Sequence, residues 1–108
     1  MFEYASFVTR NPGYVIKHAR EQYAVRKAIL AHRKNNPVCA ATGLTNRLEV
    51  HHLLPVSVRP DLAADSTNLI TLHKHAHLII GHGGNYKSYV TNVKEVCASI
   101  KIQRTQPG

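Results

Sequence analysis

Tryptophan is absent from the 108 residues, and phenylalanine occurs only twice. Without large rings, a core has to be built from Leu, Ile, Val and Ala, with Tyr at its margins. Acidic residues are also scarce: six Asp and Glu face fourteen Lys and Arg, for a formal charge of +8. Such an excess on a 12.0 kDa chain attracts polyanions, with nucleic acid the commonest and an anionic membrane surface the alternative. No stretch approaches the ~18 consecutive apolar residues of a bilayer span. The opening Met1-Phe2-Glu3-Tyr4-Ala5 lacks the basic region followed by an apolar run that marks a secretion signal. Two cysteines, Cys39 and Cys97, are too few for a disulfide scaffold, so a reducing, cytoplasmic setting is expected.

The length suits one domain and leaves no room for two. The 44% apolar content allows a modest core. Residues 1–14 read as an N-terminal arm ending in the turn signal Asn11-Pro12-Gly13. The domain proper spans 15–102, and 103–108 reads as a flexible tail. Within the domain, 15–34 carries Ile16, Ala19, Tyr23, Ile29 and Leu30 at three- and four-residue spacing, interspersed with Lys17, Arg20, Arg26, Lys27, Arg33 and Lys34. That pattern predicts a helix, stopped at Asn35-Asn36-Pro37. A strand is expected at 48–54, a loop at 55–67, a second strand at 69–72 and a short helix at 73–80. A last helix at 89–102 has Val93, Val96 and Ile100 as its apolar stripe. The whole reads as a small α+β domain.

Histidine is the abundant residue. Six of the eight histidines lie between positions 51 and 82. His18 and His32, in the basic helix, read as surface or satisfied core residues. The cluster reads as a metal site, because two separate elements contribute to it. His51 and His52 are adjacent on a strand and point to opposite sides. One can hold an ion while the other faces a substrate. Metal hydrolases need that division between ligands and a base that activates water.

The run Leu48-Glu49-Val50-His51-His52-Leu53-Leu54-Pro55, then Asn68-Leu69-Ile70-Thr71-Leu72, then His77 and Gly81-His82, resembles the HNH endonuclease family, its small phage-type members in particular. The resemblance covers about residues 18–95. It implies a ββα-metal (His-Me finger) fold with flanking helices: two antiparallel strands, a connecting loop and a helix around one divalent ion, Mg2+, Mn2+, Ni2+ or Zn2+. By position it makes His51 the first metal ligand and His52 the general base. Asn68 becomes the residue that braces the loop and so orients the base, while His77 and His82 are the remaining ligands. It also implies a DNA phosphodiesterase acting on double-stranded DNA. A single site in a monomer would nick, whereas a homodimer could cut both strands. If the gene is phage-borne, the compartment is the host cytoplasm.

Spacing and resemblance disagree about the third ligand. Residues four apart share a helix face, which would pair His73 with His77. His77 and His82 are five apart, or ~140° around an ideal helix. A left-handed Gly81 would fold His82 back, and the resemblance, which places a Gly-His here, makes the expected set His51, His77 and His82. His73 and His75 then lie behind the ligands or face phosphate. Many HNH relatives carry two Cys-x-x-Cys pairs for a structural zinc. Here the corresponding positions read Cys39-Ala40-Ala41-Thr42 and His73-Lys74-His75-Ala76, so no structural zinc is expected. Cys39 and Cys97 read as small buried apolar residues. Arg59, Lys74 and Lys87 are candidates for phosphate contact. The alternative reading is a non-catalytic module that binds zinc and nucleic acid, in which His52 would have no use.

Overall fold

The computed structural model describes residues 12–105. Helix α1 spans Pro12–Asn35. It begins three residues before the expected start, because proline suits the first helical position, where its missing N–H goes unused. Of the expected N-terminal arm, residues 12–14 are thus helical, and 1–11 lie outside the described residues. At the other end, the Asn36 backbone N–H and Nδ2 both donate to the His32 carbonyl, at 2.8 and 3.0 Å. His32, Arg33 and Lys34 occupy the last turn, where positive charge suits the helix dipole.

The docking face of α1 differs from the expected one. Val25, Ala28, Ile29 and His32 are half-buried, at the i, i+3, i+4, i+7 spacing of one helix face, and α1 packs on the sheet. Ile16, Tyr23 and Leu30 are 54%, 69% and 52% exposed. The helix carries two apolar stripes, and the described residues cover only one.

Strands β1 (Leu48–His52) and β2 (Leu69–His73) form a two-stranded antiparallel sheet, with His51 opposite Ile70 and Glu49 opposite Leu72. Both faces of β2 are covered and all five of its residues are buried. Residues 53–68 connect the strands through two short helical turns, Pro60–Leu62 and Ser66–Asn68. Asp65 caps the second, accepting from the Thr67 N–H at 2.9 Å. Helix α2 follows β2, as an α-turn at Lys74–Ala76 and a wider π-turn at His77–Gly81. Helix α3 runs Val93–Thr105, four residues later than expected, and 85–88 form a tight turn. There Asn85 Oδ1 accepts the Lys87 N–H and the Asn85 carbonyl accepts the Ser88 N–H. Residues 103–105 of the expected tail belong to α3, and 106–108 lie outside the described residues.

Cys39, Ala41, Ile70, Leu72, Ala76, Val93 and Cys97 form the core. It is aliphatic and small, and it ties the 38–47 segment, β2, α2 and α3 together. The stripe of α3 is Val93, Cys97 and Ile100, with Val96 only half-buried. Gly43, at φ +75°, sits under the Arg104 guanidinium, where any β-carbon would collide with it.

Candidate metal centre

The strand period of two puts Glu49 and His51 on the same face of β1. His51 is 2% exposed, and its ring meets two others. Ring centroids are 4.9 Å apart for His51–His77, 4.8 Å for His51–His82 and 4.9 Å for His77–His82. Each of the three offers one nitrogen within 4.8 Å of the others, close enough for the trio to hold a metal ion.

The π-turn solves the spacing problem of His77 and His82. Its i→i+5 hydrogen bonding takes more residues per turn, so residues five apart come onto one side. The two Nε2 atoms are 3.1 Å apart. The expected left-handed Gly81 is not found: the left-handed glycines are Gly43, Gly83 and Gly84. Gly81 serves by having no side chain, since a β-carbon there would stand 3.0–3.2 Å from three atoms of the His51 ring. Gly81→Ala should therefore push His51 out of register with its partners. The expected result is metal affinity lowered at least tenfold in calorimetric titration, and wild-type affinity would show that the ring can yield.

Donor accounting defines what the trio can do. The His82 Nδ1–H donates to the Ser88 carbonyl at 2.7 Å, since a carbonyl only accepts. His77 Nδ1 donates to Glu49 Oε1 at 2.9 Å. In the neutral rings both Nε2 atoms are then lone pairs, facing each other at 3.1 Å. The buried His51 Nε2 has no hydrogen-bond partner. Burial, with the nearby His77, His82 and His52, pushes the His51 pKa down to about 4, so its ring is neutral at pH 7. Facing lone pairs repel unless a cation lies among them. Nitrogens bound at ~2.0–2.1 Å around a tetrahedral ion stand roughly 3.3 Å apart, which the 3.1 Å separation approaches.

His52 lies beside the trio, in a cleft of about 260 Å³ lined by Val50, His51, His52, Pro55, Val56, His77 and His82. A larger cleft of about 410 Å³, between the end of α1 and β2, has His32 as its only histidine. The His52 Nε2–H donates to the Ala63 carbonyl at 2.8 Å, leaving Nδ1 as the acceptor. Leu62, the residue before Ala63, is held in turn by Asn68, which is 5% exposed. Asn68 Oδ1 accepts the Leu54 N–H at 2.8 Å, and Nδ2 donates to the carbonyls of Leu54 and Leu62 at 3.0 and 3.3 Å. One side chain thus joins both ends of the loop on which the His52 hydrogen bond depends.

Other sequence candidates fall outside this cluster. His73 caps α2, its Nδ1 accepting the His75 N–H at 3.2 Å, and is not among the converging nitrogens. Lys74 and Lys87 are exposed. Arg59 is exposed too, but makes a two-pronged pair with Asp61 at 2.9 and 2.8 Å, which offsets its charge. Cys97 is buried in the core, which pushes its thiol up to about 11, with a contribution from Cys39. Cys39 is less inert than its burial suggests. Burial raises its thiol, but hydrogen bonds from the His73 backbone, the Thr42 side chain and backbone and the Ala41 backbone bring it below the ordinary value.

Glu49 is the residue the sequence reading missed. Its signal is parity: two residues before His51 on a strand means the same face. A carboxylate on the far nitrogen fixes ring orientation and raises ligand basicity. Glu49→Ala should weaken metal binding by about 10–100-fold, with Glu49→Gln in between. An unchanged affinity would show that the π-turn alone orients His77.

No family model matches the chain, and neither the curated proteins nor the solved structures yield a match.

Proposed function

We propose that the protein is a metal-dependent endonuclease of the HNH type, with β1, β2 and α2 as its ββα-metal unit and DNA as its substrate. The observation that carries this reading is the convergence of three imidazole nitrogens, with the far nitrogens of His77 and His82 already committed, next to a histidine that is not one of them. His51, His77 and His82 would hold one divalent ion. Three protein ligands with a further position open is the pattern of catalytic sites, whereas structural zinc sites are closed by four. An all-imidazole set favours zinc or nickel over magnesium.

The bound ion would supply charge stabilisation at the phosphate and at the departing oxygen. The chain supplies the rest. His52 Nδ1, freed as an acceptor by the Ala63 hydrogen bond, takes a proton from water. The water oxygen attacks phosphorus, and the bond to the leaving 3′ oxygen breaks. Ala63 and Asn68 hold the base in one tautomer and orientation. Tyr86, 56% exposed and 5.0 Å from the His82 ring, stands at the margin of the trio.

The zinc-binding module without catalysis shares the trio but leaves His52 unexplained. Supercoiled plasmid incubated with the protein and Mg2+, Mn2+, Ni2+ or Zn2+ tests the reading. Nicked or linear product that needs the metal supports it. Intact plasmid and intact single-stranded DNA under every metal would reject it.

A further inference from the structure

The second apolar stripe of α1 is left uncovered by the described residues, and it is not simply apolar. At ~100° per residue, Ile16, Arg20, Tyr23, Lys27, Leu30 and Lys34 all fall between about 140° and 220° from the docked Val25. They form one narrow stripe opposite the sheet. Apolar residues recur at 16, 23 and 30, and cations at 20, 27 and 34, each every seventh residue. All six are exposed. Among the described residues, neither the Arg59–Asp61 ion pair nor the Glu49–His77 hydrogen bond involves this stripe. Glu21, the one acid of the helix, falls about 320° from Val25, near the docked side. None of the six lines the histidine cleft.

We infer that this stripe is a second docking surface, for the phosphate backbone of a nucleic-acid duplex, separate from the catalytic cleft. The inference rests on the nucleic-acid substrate proposed above. Charge complementarity decides the occupant. Pairing of two copies along the stripe, parallel or antiparallel, would bring six cations into one seam with no acid to offset them. A membrane-surface helix keeps its cations to the polar face, but here they interrupt the apolar one. A duplex carries one charge per ~1.7 Å of axis. The three cations, spaced ~10.5 Å apart along the helix, reach separate phosphates. Tyr23 and the flanking aliphatics pack against sugar. The surface adds affinity without touching the reacting atoms.

The test compares wild-type chain with the Arg20→Gln/Lys27→Gln/Lys34→Gln variant. Binding of a labelled 24-base-pair duplex is read by fluorescence anisotropy from about 50 to 500 mM salt, without added divalent ion. Each lost phosphate contact lowers the salt slope by ~0.9, so the slope should fall by about 2.7 and affinity near 0.1 M salt by roughly 10²-fold. The plasmid assay should show raised KM with unchanged kcat. A Lys94→Gln/Lys101→Gln variant on α3 controls for net charge. Wild-type binding and slope in the triple variant, while the parent still cleaves DNA, would overturn this inference alone. So would an equal loss per charge in the control. Failure of the parent to bind or cleave DNA would overturn both readings. Two further results would also overturn the docking surface. One is phosphatidylserine vesicle binding that is lost in the triple variant while DNA binding persists. The other is a dimer abolished by Ile16→Ser/Tyr23→Ser/Leu30→Ser with the salt slope intact.

Discussion

His52→Ala should reduce cleavage by about 10²–10⁴-fold, the contribution of one general base, while the protein still binds one ion per chain with near-native affinity. The separation follows from geometry. His51, His77 and His82 converge on one point, and His52 faces the cleft with its Nε2–H committed to Ala63. On the proposed mechanism, removing its ring takes away the acceptor for the water proton and leaves the three candidate ligands untouched. Metal titration and single-turnover cleavage on the same preparation check this. The loop contact to Ala63 is lost as well, so a thermal melt should accompany them. A variant that melts normally and cuts at the wild-type rate would exclude His52 as the base. A variant that loses its ion would make it a ligand.

His82→Ala should lose metal and activity together, whereas His73→Ala should keep both. Loss of a direct ligand should exceed the about 10–100-fold drop typical of residues that only orient one. In His73→Ala the α2 cap disappears, at a cost of about 0.5–2 kcal/mol, which should lower the melting temperature without changing affinity. Calorimetric titration of the two variants side by side distinguishes them. Metal binding lost in His73→Ala and retained in His82→Ala would place the ion elsewhere.

The histidines that converge were readable in the chain because their types and order are local facts. The short strands and the burial of Cys39 and Cys97 were similarly accessible, since alternation and apolar character are written residue by residue. The route by which His82 reaches His77 was not. An ideal helix separates them, and a glycine suggests a left-handed reversal. The chain instead winds as a π-turn, a choice that depends on how residues 77–81 pack on β1 and α3. Gly81 contributes the room in which the His51 ring sits, a contact between residues thirty positions apart. Glu49 went unremarked for a related reason: its partner is twenty-eight residues away.

By itself, the order of residues determined the excess positive charge, the two short strands, the helices around them and the histidines able to bind metal. These rest on composition and on periods of two and 3.6, which need no knowledge of neighbours. Tertiary structure decided which face of α1 is buried, how the rings meet and which nitrogen of each is left open. The last of these depends on hydrogen bonds that the rings donate to Glu49, Ala63 and Ser88. Such partners become neighbours only when the loop and the π-turn have closed around the sheet.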